Sequence, residues 1–363
     1  MTRKQFILSG SALTAVAVAG EALTLAISRQ SYDTAASEVR RPIAEHAAMQ
    51  RELVRYATLA PSSHNTQCWQ FKLASNSISI LPDFKRRCPI VDPDDHHLFV
   101  SMGCAAENLF QAALAQGLRG SLEFGNSPSD ELRVMFEPTQ KQISPIFEAI
   151  PARQCTRAPY DGTVLSTQEL KLLEQAGKGE GVSVHFLTER AALENILEFV
   201  VAGNTAQIDN PAFVAELRNW IRFSEHEAVK TGDGLFSRTS GSPAVPSWLG
   251  NILFSQLYNS KTENQKYAMQ MRSSAGVAVF VSEQNDKSHW IETGRCYERF
   301  ALQATVLGIR NAMVNQPVEV SDIRPQLASY LGIGARRPDL VVRFGRGPTM
   351  PRSLRRSVDA VLI

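Results

Sequence analysis

The sequence predicts an α+β protein made of two tandem, degenerate copies of one fold, closed on each other as an intramolecular pseudo-dimer. Three observations carry that expectation. A long helical segment occurs twice at one constant spacing, a helix-then-strand unit precedes each occurrence, and each copy lacks a polar feature that the other retains.

The repeated segments are VSMGCAAENLFQAALAQGLR, Val100 to Arg119, and IETGRCYERFALQATVLGIR, Ile291 to Arg310. At a constant offset (310 − 119 = 191), Gly103 meets Gly294, Glu107 meets Glu298, Ala113 meets Ala304, Gly117 meets Gly308 and Arg119 meets Arg310. Apolar positions coincide as well, Leu109 with Phe300 and Leu118 with Ile309. Each copy reads as a long buried helix stopped by a glycine and followed by a strand, because glycine adopts the left-handed cap conformation at little cost.

The preceding units are LVRYATLAPSSHNTQCWQFKL and LKLLEQAGKGEGVSVHFLT. Both show apolar residues at helical spacing and then an exit strand, whose alternation is clear in the first. Between helix and strand the first unit carries Pro61, Ser62, Ser63, His64, the amides Asn65 and Gln67, and then Trp69, a core residue by expectation. The second has only the shorter AGKGEGVSV. Conversely, IPARQCTRAPYDG introduces the second unit and brings Arg153 and Arg157, read as one helical turn apart, with no counterpart before the first. A closed two-fold dimer carries each interfacial site twice, so complementary losses fit a fused dimer in which one site survives. The first half is expected over residues 45–150 and the second over 151–363. A Gly/Pro-rich insertion around 224–258, bearing Phe236, Trp248 and Phe254, is expected to form a lid.

Composition bounds the remaining possibilities. With 363 residues, 44% of them hydrophobic and 20% charged, the chain can bury a substantial core. A net charge of +2 gives no whole-chain reason to expect a nucleic-acid partner. The five cysteines are scattered and odd in number, without zinc-ligand or C-x-x-C spacing, which argues against a disulfide framework. Residues 1–30 read as an export signal or anchor: Arg3 and Lys4 precede an uncharged run from Phe6 to Gly20 that contains Ala17-Val18-Ala19. That run is short for a membrane span. TRKQFIL resembles a twin-arginine signal with Lys4 in place of the second arginine. The expected location is exported, periplasmic, or membrane-anchored through this segment alone.

Together these residues resemble the nitroreductase superfamily, whose members bind FMN at a dimer interface. APSSHNTQCW resembles its A-P-S-S-x-N-x-Q-P-W loop, RQCTR its R-x-S-x-R phosphate motif, and LVVRFGRGPTMPRSLRRSVDAVL its closing turn, basic pair and last short helix. The signal-like start, the duplication and the insertion are closest to the Acg-like, fused-dimer branch. The resemblance implies a mainly antiparallel sheet in each half, long helices between the halves and one FMN site. It implies that Arg153 and Arg157 hold the phosphate and reach the pyrimidine edge, and that Arg355, with Arg352 or Arg356, completes the phosphate grip. Pro61, Ser62, Ser63 and Asn65 would line the ribityl chain and ring face, and Asn315 and Gln316 would present a backbone N–H to flavin N5. Arginine suits an anion because its planar fork offers fixed donors, and a guanidinium near N1 stabilises reduced flavin.

The implied function is an FMN-dependent oxidoreductase that moves a hydride from a nicotinamide or another donor to a small electron-poor acceptor, in a chain that is monomeric because its dimer is internal. The alternative is a protein that holds FMN under its lid without turnover. His64 is expected to hydrogen-bond locally. Asp92, Asp94, Asp95, His96 and His97 are expected to be capping chemistry before a helix rather than a metal site. Cys68 and Cys155 stand where the family has proline and a hydroxyl; two neighbouring cations would favour a Cys155 thiolate, but Cys155 is expected to be passive.

Overall fold

A computed structural model of the chain describes residues 31–43, 49–125 and 130–363. The signal-like segment, residues 1–30, lies outside the described residues.

In the first half, helix α1 (Met49–Thr58) leads through the polar loop to strands β1 (Trp69–Ala74) and β2 (Ser77–Pro82). Helix α2 (His96–Ala115) and strands β3 (Leu118–Glu123) and β4 (Leu132–Pro138) follow. The second half repeats the plan. It runs through α3 (Thr167–Gly177), β5 (Val182–Leu187), α4 (Arg190–Ile208), α5 (Ser247–Leu257), α6 (Ser260–Arg272), β6 (Gly276–Ser282), α7 (Lys287–Val306), β7 (Arg310–Met313) and β8 (Arg337–Gly345). The strand order is β1-β2-β4-β3 in one sheet and β5-β6-β8-β7 in the other, every pairing antiparallel. The two sheets therefore have one topology. Helices α2 and α7 begin and end at positions related by the same 191-residue offset (287 − 96 and 306 − 115).

Local chemistry sets the ends of these elements. Ser166 and Glu169 form a reciprocal capping box at the start of α3, satisfying two otherwise orphaned N–H groups. Gly117 and Gly308 follow α2 and α7 with φ of 79° and 69°, a conformation that a side chain would strain.

The helix pair α2–α7 is the two-fold seam. A Cβ on Gly103 would overlap the backbone carbonyl of Ile291, and one on Gly294 would overlap that of Val100. Since Ile291 is the repeat partner of Val100, the contact is self-reciprocal, as in a symmetric dimer. One core runs across both halves: Leu53, Trp69, Phe99, Phe280, Phe300 and Phe344 belong to a single buried cluster. Trp69 is fully buried, as expected. Burying side chains of that size stabilises by roughly 1.5–3 kcal/mol each.

The halves differ in their outer faces. Strand β3 alternates half-buried and exposed residues, the mark of a sheet with one wet face. Strands β6 and β8 are buried at every position. A second apolar cluster, including Ile196, Val200, Val279 and Val341, covers the other face of their sheet. The chain then crosses back, and Ile363 donates its N–H to Phe71 O of β1 at 3.0 Å.

Candidate functional site

Helix α1 ends at Thr58, two residues before Ala60-Pro61. The loop beyond it places three non-glycine residues in the left-handed region, His64 at φ 48°, Asn65 at 54° and Gln67 at 54°. Such residues cost of order 1–3 kcal/mol each unless their surroundings fix them. Here the amides do so. Asn65 donates to Gly234 O (3.0 Å) and Leu354 O (3.3 Å), and its own carbonyl accepts from Gly234 N (3.1 Å). Gln67 donates to Gly232 O (2.9 Å), accepts from Arg356 N (2.8 Å), and gives its N–H to Ser62 Oγ (2.9 Å). The crowd of amides thus ties the loop to the insertion and to the C-terminal tail.

Beneath the loop lies a buried knot of arginines. Arg153 donates to Leu59 O at 2.8 Å and pairs through Nε with Glu298 at 3.1 Å. Arg355 spends all five N–H groups: on Thr58 O (2.7 Å), Asn65 Oδ1 (2.9 Å), Leu354 O (2.9 Å), Leu59 O (3.0 Å) and Ala60 O (3.0 Å). It caps the orphaned carbonyls at the end of α1, a favourable position for a cation. Burial, with Arg40 and Arg153 nearby, lowers its pKa to about 9. Burial also pushes the Glu298 carboxyl up to about 7, against the pull of Arg153.

The spacing of Arg153 and Arg157 differs from the expected helical turn. Residues 153–157 are extended along the edge of the second sheet. Cys155 bridges to Asn311, and Thr156 N donates to Asn311 O at 2.8 Å. Buried Arg343 donates to Thr156 O (3.0 Å) and Ala158 O (2.9 Å), and Gln270 to Arg157 O (2.9 Å). Edge pairing with a strand distant in sequence overrides the local spacing. The two arginines are therefore not stacked one helical turn apart: Arg153 N closes the preceding turn on Ala149 O at 2.9 Å, and the chain then runs along the sheet edge at Cys155. Cys155 Sγ lies 3.7 Å from Tyr297 Oη.

Arg157 reaches a pocket of about 430 Å³. Its walls include Phe223, Phe254 and Tyr258 from the insertion side, Tyr267 and Lys266 from α6, and Ala312 and Met313 from β7. Of the three aromatics expected in a lid, Phe254 lines the pocket, Phe236 packs in a separate cluster and Trp248 is exposed. Among the described residues the Arg157 guanidinium has no hydrogen-bond or ion-pair partner. His64 is held neutral: burial, with Arg157 and His97 nearby, lowers its pKa to about 4. Its Nδ1 lies 3.6 Å from Cys88 Sγ, a local contact.

The position related to this site by the repeat is filled. Glu107, the counterpart of Glu298, is engaged by Arg299 (2.9 Å) and Arg295 (3.3 Å). Arg299 also donates to Ala176 O (3.3 Å) and Lys178 O (3.0 Å) at the end of α3, as Arg355 and Arg153 do at the end of α1. Glu292 binds both arginines, at 2.8 and 3.2 Å, and Glu292 and Cys296 close over Gly179. One helix thus supplies its own plug.

No family model matches the chain. Two inferred NAD(P)H nitroreductases of Mycobacterium tuberculosis are similar to it over most of its length. Rv3131 is 22% identical over 329 residues, 86% of this chain and 90% of the relative. The protein named acg is 21% identical over 326 residues, covering 86% and 94%. The likeness to these two nitroreductases, acg among them, extends over 86% of this chain. Solved nitroreductases overlap it in part. The FMN-dependent NfnB of Mycobacterium smegmatis has a TM-score of 0.36 at 14% identity, covering 60% of this chain and 91% of its own. A Bacteroides fragilis nitroreductase with bound FMN has a TM-score of 0.35 at 18% identity, covering 56% and 88%.

The residues that the superfamily loops and tail had marked fall into two groups. Asn65, Arg153 and Arg355 come together around Leu59, with Pro61 buried and Ser62 and Ser63 half-buried beside them. Arg352 lies on the same side, donating to Pro151 O at 2.9 Å. Arg157 faces the pocket instead. Asn315 is spent on structure: its Oδ1 accepts from Val341 N (2.9 Å) and its Nδ2 lies 3.4 Å from His97 Nε2. The Gln316 backbone N–H has no acceptor among the described residues, and its side chain neighbours the pocket residue Tyr267. For Arg355 the structure corrects the expectation of a phosphate donor, since a guanidinium fully engaged with carbonyls keeps no N–H for a ligand. Asp92 accepts from His97 N and Leu98 N, both at 3.0 Å, which is capping chemistry at the start of α2. Gln67, one of the loop amides, joins the first group through Gly232 and Arg356.

Proposed function

We propose that the chain is an FMN-dependent oxidoreductase of the nitroreductase type, with its flavin ring in the Arg157 pocket of the second half, beneath the insertion. The observation that carries this reading is the unpartnered Arg157 guanidinium facing a largely apolar, aromatic-walled pocket, four residues along an extended edge from a buried arginine cluster. The donor set fits FMN: one cation for the ring, several for the phosphate, and an apolar enclosure between them.

Bound there, FMN would supply the hydride chemistry, taking it from a reduced nicotinamide and passing it to an electron-poor acceptor such as a nitroaromatic or quinone. The chain's residues would bind and tune. Arg157 would stabilise negative charge at the pyrimidine edge, and neutral His64 leaves that task to the guanidinium. Arg153 and Arg352 would hold the phosphate, while Arg355 fixes the carbonyls against which they rest. Pro61, Ser62 and Ser63 would wall the ribityl chain, and the Gln316 N–H would be available to donate to the flavin ring. Phe223, Phe254 and Tyr258 would exclude water from the ring.

The visible spectrum of protein purified without added flavin tests the reading. Bound FMN that bleaches anaerobically with NADH or NADPH, and is reoxidised by a nitro compound, is the expected result. Protein that stays colourless after reconstitution with FMN overturns it.

A further inference from the structure

Among the described residues, the arginine knot gathers more guanidinium groups than carboxylates. Arg153, Arg352 and Arg355 gather near the tail, and a fourth guanidinium arrives from a segment that no sequence motif marks. Residues 31–38 are helical and lead to Arg40. This strap is pinned at both ends. Tyr32 donates to Arg352 O at 2.7 Å and packs on Phe236 with ring centroids 4.4 Å apart, within a small apolar cluster that includes Ala36, Ala228 and Leu354. Further along, Ile43 N donates to Glu52 at 3.0 Å and Arg55 donates to Arg40 O at 3.1 Å.

The Arg40 head donates to Ser353 O at 3.0 Å, next to Leu354 O, which Arg355 takes at 2.9 Å. Its Nε has no acceptor among the described residues; neither does Nη1 of buried Arg153, while Nε and Nη2 of exposed Arg352 are open to solvent. Among the described residues, Glu298 is the one carboxylate that acts on Arg153 and Arg355, and burial drives it toward its neutral form. The pKa of Arg40 itself is lowered to about 10 by burial, with Arg352 and Arg153 adding repulsion. Gathered guanidiniums with unspent donors and one weak counter-charge are destabilising alone and favourable around an anion.

We propose that Arg40 is a cofactor-binding residue: the 31–43 strap folds over the second-half opening and the tail to add a guanidinium to a phosphate-monoester cradle with Arg153 and Arg352. The inference rests on the FMN reading and adds to it a third element of the site, outside both repeats. It also makes the strap part of the folded protein.

Binding of FMN and of riboflavin, which lacks the phosphate, to apo wild type, Arg40→Gln and Arg40→Lys tests it. Arg40→Gln is expected to weaken FMN about 10- to 100-fold, the worth of a charge-assisted hydrogen bond, leaving riboflavin affinity unchanged. Arg40→Lys should recover part of the loss. Equal FMN affinity in Arg40→Gln and wild type, or equal losses for FMN and riboflavin, overturns the proposal while leaving the flavin site standing. If wild type binds neither flavin, the function reading fails, and inorganic phosphate decides the cradle alone. Thermal stabilisation by phosphate that Arg40→Gln loses supports it, and stabilisation equal in both, or absent in wild type, overturns it.

Discussion

Arg153 and Arg355 donate to one carbonyl oxygen, that of Leu59, from 2.8 and 3.0 Å. Three distant stretches meet at that atom: the end of helix α1, the opening of the second half, and the tail. The shared acceptor separates arginines that hold the protein together from the one that faces the pocket.

Arg355→Ala is expected to lower stability by at least about 3 kcal/mol, because it strands several buried carbonyls and the Asn65 side chain. Denaturant unfolding measures this. A loss below about 1 kcal/mol would mean that Arg355 does not cap α1.

Arg157→Ala should behave in the opposite way. With no protein partner to lose, its stability should stay within about 0.5 kcal/mol of wild type. Flavin binding should weaken for FMN and riboflavin alike, since the proposed contact is with the ring. Unfolding curves paired with flavin titrations check both halves of this expectation.

Glu298 should make the flavin-free protein's stability fall with pH. Its folded pKa, about 7, lies above its ordinary value of 4.5, so the folded state holds the proton more tightly. That contribution is fully present below about 4.5 and lost as pH rises through about 7. Glu298→Gln, which mimics the protonated carboxyl, should gain on wild type between pH 5 and pH 8 by up to about 3 kcal/mol. Stability differences that stay flat over that range would exclude the shift.

Gly103→Ala and Gly294→Ala should be severe and nearly equal. Each adds a methyl against backbone across the α2–α7 seam, which cannot move aside as a side chain can. Losses of roughly 3 kcal/mol or more are expected for each. Thermal melts showing one change tolerated and the other not would break the two-fold relation.

Much of the architecture was legible because a constant offset between helices survives divergence. Gly103 and Gly294 persist where backbones touch, and Gly117 and Gly308 where helices stop. The loop's shape was not legible. His64, Asn65 and Gln67 adopt left-handed conformations without a glycine, held by Gly232, Gly234 and Leu354 from far along the chain. The helical reading of Arg153 to Arg157 failed for a similar reason, since Asn311 draws that segment straight. Residue type revealed arginines suited to an anion, but not that Arg355 spends its donors on backbone. Arg40 carried no signal, because its role comes from a strap packed on Phe236 and the tail.

The plug around Glu107 has a consequence for ancestry and engineering. Cutting the gene between the halves would not restore two working homodimers. A pair of second halves would carry the Arg295–Arg299 stopper at both ends, and a pair of first halves would lack both Arg153 and the returning tail. The fusion cannot be reversed by scission alone: each half has become the other's obligatory complement.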